Sequence, residues 1–381
     1  MDMFLDRVFR LSILVLCFLR YVFCGKADIF QKSQKNFLII PAGKLGDIIC
    51  TTPIFRAIRK KYPDGKIFVY GNLLSRQILA DAGLFDEFIE REGFLSDLRK
   101  IRKINISFAC VTGSGFLDLA LIYLAGVFLI SAPVINEKKY IQETRPYKVL
   151  AKFVVQKKFT PGKYMPRQYL ALLGPVDIHS SNTKKHLGFS SSAEEKVKVF
   201  YEENGVDLSR DFLVGITPSA GNKIKEWSTE RFAKLADHIS RKHGAKIVVF
   251  GGKNETKRSE KMIRQIGKET FFVDSTGMFN IDELKAAISM LDVFVSSDTG
   301  PIYIAEAFGV ATVDIVGPVD ENDQPPVGEF HKIVKWEARK KPAMNALNAR
   351  NYDYDEAKKQ VEKITVQMVA EKVDELISIK K

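Results

Sequence analysis

The feature of this chain that most constrains its fold is an alternation of short apolar runs with helix-like segments, which occurs in both halves of the sequence. Each run is nearly free of charge, as expected for a strand that is buried on both faces of a parallel sheet. The runs lie at residues 36–41, 66–70 and 104–111, and again at 212–217, 246–250, 293–296 and 312–316. The pattern predicts an α/β protein with two doubly wound domains, in which ligands bind beyond the carboxyl ends of the strands.

A polar stretch at residues 174–194 separates the two halves and has the composition of an interdomain linker. We therefore predict one Rossmann-like domain at residues 36–180 and a second at residues 190–345, facing each other. Residues 116–133 are also strongly apolar but contain Asp118. We predict a buried core helix there rather than a membrane span.

The charge of the chain is unevenly distributed. There are 58 lysines and arginines against 46 aspartates and glutamates, which gives a formal net charge of +12. A local excess of basic residues favours an anionic partner such as a phosphate, an acidic glycolipid or a membrane surface, and the alternative is a solvated face. Residues 136–170 contain two acidic residues and nine basic ones: Lys138, Lys139, Arg145, Lys148, Lys152, Lys157, Lys158, Lys163 and Arg167.

The cysteines and histidines give no sign of a metal site. None of the four cysteines, Cys17, Cys24, Cys50 and Cys110, has the spacing of a metal-ligand pair, and the five histidines are scattered. We therefore expect no bound metal, and we expect the thiols to be in a reducing compartment.

The N-terminal segment, residues 1–35, is predicted to interact with a membrane. Its apolar run at residues 11–19 follows Arg7 and Arg10 and precedes Arg20. The run is short for a membrane span, and no clear signal-peptide cleavage site follows it. Of the three interpretations, we favour a helix that lies in the membrane interface with its arginine head groups in water.

One strand of the second half leads into the sequence Ser-Ser-Asp-Thr-Gly-Pro at residues 296–301. Gly300 allows a ligand to approach the backbone, and Pro301 suits the first turn of a helix, where its missing N–H costs nothing. The free N–H groups of that turn would bind an anion such as a phosphate. The alternative is an ordinary helix cap by Asp298 or Thr299.

A second loop, residues 217–227, follows another strand of the same half. It contains Thr217, Ser219, Lys223 and Lys225. Lysines in this place can neutralise phosphate oxygens, and the alternative is that they are solvated loop residues.

The first strand of the chain leads into residues 41–47, which match neither a Walker A loop nor a dinucleotide fingerprint. Asp47 begins the following helix, where the helix dipole favours an ionised carboxylate. Such a group can act as a general base toward a hydroxyl, or it can simply cap the helix. Two anion sites in one domain and a carboxylate in the other together predict transfer of a group from a diphosphate leaving group.

Four segments in this order resemble glycosyltransferase family 9, the lipopolysaccharide heptosyltransferases. They are FLIIPAGKLGDIICTTP (37–53), GITPSAGNKIKEWSTERF (215–232), VFGG (249–252) and SSDTGPIYIAEAFG (296–309). The segment GPVD (317–320) and a helix predicted within residues 360–381 also fit the family. The resemblance implies a GT-B fold, with two Rossmann-like domains and an active site in the cleft between them. It also implies an inverting transferase that needs no metal or cofactor and moves heptose from ADP-heptose to lipopolysaccharide.

The resemblance also assigns roles to single residues. Asp47 matches the base proposed for the family, and Lys225 matches its phosphate-contacting lysine, so both are assigned to catalysis. The residues assigned to donor binding are Thr217, Ser219, Lys223, Lys225, Glu255, Asp298, Thr299, Gly300, Pro301 and Tyr303. The residues assigned to acceptor binding are Lys44, Lys138, Lys139, Arg145 and Lys148.

Many members of the family carry a histidine where this chain has Tyr303, which can donate a hydrogen bond but cannot become cationic at pH 7. Two alternatives therefore stay open: a transferase for another nucleotide sugar, and a non-catalytic protein of the same fold that binds nucleotide sugars or glycolipids. The net charge would also suit a nucleic-acid-binding protein, but the sequence contains no recognisable reader motif. The expected partners are a nucleotide sugar, an anionic glycolipid and the inner face of the cytoplasmic membrane.

Overall fold

A computed structural model describes residues 3–24, 35–127, 129–135, 143–345 and 352–380 of the chain. The chain forms two compact units: the first consists of Met1–Leu79 and Gly83–Lys184, and the second of Ala80–Ala82 and Lys185–Lys381. Each unit contains a sheet of six strands. All neighbouring strands are parallel, as the sequence pattern predicts.

The first unit has the strand order β3-β2-β1-β4-β5-β6. Its strands are β1 (Asn36–Ile40), β2 (Lys66–Gly71), β3 (Glu87–Glu90), β4 (Phe108–Val111), β5 (Leu129–Val134) and β6 (Val155–Lys158). Its helices are α1 (Met3–Cys24), α2 (Leu45–Cys50), α3 (Thr52–Lys61), α4 (Leu73–Leu79), α5 (Phe94–Ile104), α6 (Phe116–Leu124), α7 (Arg145–Ala151) and α8 (Met165–Ala171). The order reverses between β1 and β4, so the ligand crevice of such a sheet lies beyond the ends of these two strands.

The second unit repeats this topology, with the strand order β12-β11-β10-β7-β8-β9. Its strands are β7 (Leu213–Thr217), β8 (Lys246–Val249), β9 (Phe272–Asp274), β10 (Val293–Ser297), β11 (Ala311–Ile315) and β12 (His331–Val334). Its helices are α9 (Ser191–Glu203), α10 (Thr229–His243), α11 (Thr256–Ile263), α12 (Ile281–Ser289), α13 (Gly300–Phe308), α14 (Tyr354–Glu362) and α15 (Val366–Lys380). Its order reverses between β7 and β10.

Two predictions about the first unit need correction. Residues 116–133 do not form a single helix, because α6 ends at Leu124 and β5 begins at Leu129. Gly126, with φ at +94°, supplies a turn between them that a side chain would resist. The predicted strand at residues 104–111 begins only at Phe108, because α5 runs to Ile104 and ends at Asn105 in a left-handed conformation.

The N-terminal helix α1 packs on the first unit. Ile13 and Cys17 are buried in the same apolar core as residues of α6 and α7. In the part of the chain that the structure describes, no helix is both long enough and apolar enough to cross a bilayer.

The C-terminal helix α15 is held on α10 by a cluster of charged side chains. Asp374 on α15 contacts Nε2 of His238 at 3.1 Å and of His243 at 2.6 Å, and it accepts a hydrogen bond from Lys242 at 2.7 Å. Burial alone would raise the pKa of Asp374, but the hydrogen bonds from Lys242, His243 and His238 lower it to about 2. The cluster therefore stabilises the fold wherever this carboxylate is charged.

We expect Asp374→Asn to lower the free energy of unfolding by about 1–2 kcal/mol near pH 7. The folded-state pKa lies below the unfolded value, so this contribution is present above pH 4 and is lost as the pH falls toward 2. Urea unfolding at pH 7, 4 and 3 measures the difference between the variant and the wild type. The control is Asp355→Asn on α14, and a difference that stays constant down to pH 3 would contradict the assignment.

Candidate functional site

The reversal of strand order in the second unit brings two loops to one edge of its sheet. Strands β7 and β10 are neighbours, with Thr217 opposite Ser296 in the register. Their following strands, β8 and β11, pair on opposite sides. The loops after β7 and β10 therefore flank the crevice in which doubly wound sheets bind their ligands.

Side chains from these two loops form an ion pair. Nζ of Lys225 lies 2.6 Å from Oδ2 of Asp298, and the buried Tyr303 donates its hydroxyl hydrogen to Oδ1 at 2.8 Å. Both oxygens of Asp298 are thus engaged, which fixes the carboxylate at the start of α13. The prediction that Lys225, Asp298 and Tyr303 belong to a common donor-binding set remains a prediction, but Asp298 is in direct contact with both of the others.

The remaining residues assigned to donor binding lie at the end of β7, in the loops after β7, β8 and β10, and at the start of α13. Thr299 precedes Gly300 and Pro301, the first residues of α13, and its side chain makes no capping hydrogen bond. In this turn the N–H of Ile302 donates to the carbonyl oxygen of Thr299 at 3.2 Å and Pro301 has no N–H, so Gly300 supplies the N–H group with which the turn could bind a ligand. Glu255 lies in the turn after β8, where its carboxylate accepts the backbone N–H of Gly252 at 2.7 Å.

Buried polar atoms line the same strand ends. In the described part of the chain, the hydroxyls of Thr217, Ser219 and Ser296 and Oδ1 of Asp314 are buried without a hydrogen-bond partner in the protein. The register places Thr217 opposite Ser296 and Ser296 opposite Asp314. Buried polar atoms usually have a partner, so these four atoms mark a place where a polar ligand or water completes the structure.

Two carboxyl groups near this edge have raised pKa values. Burial and the negative charge of Asp298 raise the pKa of Asp314 well above its usual range, which favours the protonated form of Asp314 beside the ion pair of Asp298 with Lys225. Burial also raises the pKa of Glu306, against the effect of Lys185, whose Nζ lies 2.7 Å from its carboxylate. The sequence analysis missed Asp314, although an aspartate inside an otherwise apolar strand was a signal.

Arg258 on α11 holds the loop after β7 in place. It donates hydrogen bonds to the carbonyl oxygens of Pro218 at 2.6 Å and Trp227 at 2.7 Å, and it pairs with Glu226 at 3.0 Å. The two ends of the loop are therefore fixed, whereas Lys223 between them is exposed. No sequence signal distinguished Arg258 from the other basic residues of a charged helix.

The candidate base lies in the first unit, at the start of α2. Oδ2 of Asp47 accepts the backbone N–H of Lys44 at 2.8 Å, so Asp47 does cap this short helix. Gly43 has φ at +100°, and a Cβ there would come within 2.3 Å of Oδ2 of Asp47. Burial, together with the negative charge of Asp47, raises the pKa of the Tyr169 phenol. The side chain of Asp47 is only half-buried and is accessible to a ligand.

The loop that carries Asp47 packs against the loop after β4. The hydroxyl of Thr112 accepts the backbone N–H of Ala42 at 2.9 Å. A Cβ on Gly113 would lie 2.4 Å from Cβ of Ala42, so only glycine allows this approach. The two strand ends at the reversal of the first sheet are therefore in contact.

The basic residues assigned to acceptor binding are only partly described. Lys138 and Lys139 lie outside the described residues. Arg145 and Lys148 are exposed on α7, and Nζ of Lys148 lies 3.5 Å from the buried carboxylate of Glu143. Lys44, the remaining member, is exposed in the same loop as Asp47.

Tyr303 offers a direct test of the donor site. We expect Tyr303→Phe to weaken binding of a nucleoside diphosphate about tenfold, because Asp298 loses one of its two partners while the ring stays in place. Tyr201→Phe is the matched control, since that buried hydroxyl donates to the carbonyl oxygen of Ala287 at 3.0 Å instead. Calorimetry measures both affinities, and an equal loss in the two variants would contradict a role for Tyr303 in the site.

A family model and a relative of known name both match this chain to the heptosyltransferases. The family model of glycosyltransferase family 9 (heptosyltransferase) matches residues 136–352. Lipooligosaccharide heptosyltransferase 2 of Campylobacter jejuni is 22% identical over 320 residues, which cover 82% of this chain and 90% of the relative.

Solved structures match the fold over nearly the whole chain. A family 9 glycosyl transferase from Veillonella parvula has a TM-score of 0.75 at 19% identity, and E. coli ADP-heptose lps heptosyltransferase II has 0.70 at 17%. Each covers 91% of this chain and 99% of its own. The likeness, together with two parallel sheets of the same strand order, confirms the predicted GT-B fold class.

Proposed function

This chain belongs to glycosyltransferase family 9, the heptosyltransferase family, and on that premise we propose that it transfers heptose from ADP-heptose to a lipopolysaccharide core or related glycolipid. The observation that carries the proposal is the ion pair of Lys225 with Asp298 at the start of α13. A cation and a helix N-terminus at one strand edge suit a diphosphate. E. coli heptosyltransferase II is named for ADP-heptose.

The donor would bind at the strand ends of the second unit. Its diphosphate oxygens would accept hydrogen bonds from the first turn of α13 and from Lys225, and the hydroxyls of Thr217 and Ser219 would gain the partners they lack in the protein. As the bond to the sugar breaks, negative charge develops on the departing diphosphate. Lys225 and the helix N-terminus would stabilise that charge.

The acceptor hydroxyl would be activated by Asp47. The carboxylate accepts the proton while the hydroxyl oxygen attacks the anomeric carbon from the side opposite the diphosphate, so that the configuration of that carbon is inverted. The basic residues Lys44, Lys138, Lys139, Arg145 and Lys148 would bind the anionic groups of the acceptor. We propose that the reaction requires no metal and takes place at the cytoplasmic face of the membrane, where the lipid acceptor would lie.

The first test is calorimetric binding of ADP, UDP, GDP and CMP to the full-length chain. Selective binding of ADP supports the proposal. Selective binding of UDP or GDP would indicate a different nucleotide sugar as donor but would leave the proposed transferase mechanism unchanged. A folded protein that binds none of the four nucleotides would overturn the proposed activity in favour of a non-catalytic protein. Transfer of heptose from ADP-heptose in the presence of a metal chelator would support metal independence. An NMR spectrum of the product that shows inverted configuration at the anomeric carbon would support the inverting mechanism.

A further inference from the structure

The helix α1 has one buried face and one exposed face. On its buried face, Arg20 donates to the carbonyl oxygen of Tyr123 and lies over that ring at 4.5 Å, and Tyr21 stacks on Phe153 at 4.5 Å. Residues Ile13 and Cys17 are enclosed in the core. The helix is therefore part of the first unit rather than a detached tail.

The opposite face of α1 is exposed and almost wholly apolar. We call it the outer face of α1; its large apolar side chains, each between 40% and 82% exposed, are Val8, Phe9, Leu11, Val15, Leu16, Phe18, Leu19, Val22 and Phe23. No charged residue lies between positions 11 and 19. Nine of the nineteen large apolar side chains that are exposed in the described residues thus lie on this one helix. Scattered exposed apolar residues are ordinary, but a continuous patch of this size marks an interaction surface.

The helices beside α1 carry positive charge. On α7 and at its end, Arg145, Lys148 and Lys152 are exposed, and Nζ of Lys148 lies 3.5 Å from the buried carboxylate of Glu143. Val149 of the same helix is also exposed.

The α5 helix extends this charge on its own exposed positions. It touches α1 through the rings of Phe94 and Phe9, whose centres are 6.0 Å apart. Its exposed charged residues are Arg99, Lys100, Arg102 and Lys103. Lys100 pairs with Glu92 at 2.6 Å. An apolar helix face whose neighbouring helices expose cations complements a bilayer that contains anionic lipids.

We propose that the outer face of α1 docks this chain on an anionic bilayer, with the helix lying in the interface and its buried face still packed on α6 and α7. The apolar side chains would enter the acyl boundary, while Lys148 and Lys152 would meet anionic head groups. The inference deepens the membrane location of the proposed function. It is measured by lipid binding without sugar donor or acceptor, so its failure and that of the transfer reaction are distinguishable.

The test is co-sedimentation of the full-length chain with vesicles of phosphatidylcholine, with and without phosphatidylglycerol. We expect Leu11→Ser/Val15→Ser/Phe18→Ser to lower partitioning into both kinds of vesicle more than about tenfold, because three apolar side chains no longer leave water. The matched control changes three exposed apolar residues of the second unit, and it should bind like the wild type: Val199→Ser/Met278→Ser/Val327→Ser.

The contribution of charge is tested separately. Lys148→Glu/Lys152→Glu should weaken binding to the phosphatidylglycerol vesicles several-fold, whereas Arg210→Glu/Lys268→Glu, with the same change of charge on the second unit, should not. Wild-type binding by the folded α1 triple variant would overturn the proposal. The proposal would also be overturned if the wild-type chain bound neither kind of vesicle but formed a dimer, and the triple variant were a monomer. That result would assign the outer face of α1 to contact with a second copy of the chain.

Discussion

Replacing Asp47 with asparagine is expected to lower kcat by about 10³-fold while affinity for ADP stays within about twofold. Asparagine has nearly the same shape and still offers an oxygen to the backbone N–H of Lys44, so α2 should keep its cap. What it cannot do is accept the proton of the attacking hydroxyl. Steady-state kinetics with ADP-heptose and calorimetry with ADP measure the two quantities.

The matched control for Asp47 is Asp86→Asn. Asp86 is also a carboxylate of the first unit that accepts a backbone N–H, that of Ile67 at 2.7 Å, and it pairs with Arg59 at 2.8 Å. This variant should lose some stability but no turnover per folded molecule. Full turnover by Asp47→Asn would refute the base assignment, and a joint loss of turnover and ADP binding would show that Asp47 maintains the fold instead.

Much of the fold could be predicted because it depends on local sequence. The helices α10 and α13 have ends that local sequence determines, because Ser228 caps the start of the first and Gly309 ends the second in a left-handed conformation. The apolar runs likewise identified β1 and β7. The prediction of one helix over residues 116–133 is wrong because a buried helix and a buried strand have the same composition, and Gly126, with its positive φ, lies in the turn between them.

The contacts within the candidate site depend on tertiary structure, which the sequence pattern does not contain. Lys225 and Asp298 are 73 positions apart, and only the neighbouring positions of β7 and β10 bring them together. The same holds for Arg258, whose two carbonyl partners lie 40 and 31 positions before it. Asp314 is an exception, since an ionisable residue within a buried strand is visible in the sequence and is usually retained for a role in a site.

Lys225 is the other residue with a large expected effect. Lys225→Met should lower kcat/KM about 10³-fold and ADP affinity about 10²-fold, because it removes the cation that faces the diphosphate and leaves Asp298 without its ion pair. Lys234→Met is the matched control, since Lys234 forms an exposed ion pair with Glu230 on α10. Calorimetry measures the affinity for ADP, steady-state kinetics measure kcat/KM, and urea unfolding measures the free energy of unfolding of both variants.

A double variant separates the two roles of Lys225. If the lysine only neutralises Asp298, then Lys225→Met/Asp298→Asn should restore both stability and ADP binding, because the double variant removes both charges of the ion pair and leaves neither unpaired. If the lysine binds the diphosphate, the double variant should recover stability while its affinity and kcat/KM stay low. We expect the second result, since the first turn of α13 and Lys225 are the groups proposed to face the phosphate oxygens. If the double variant recovered ADP binding as well as stability, Lys225 would serve only to neutralise Asp298, and its role in binding the diphosphate would be refuted.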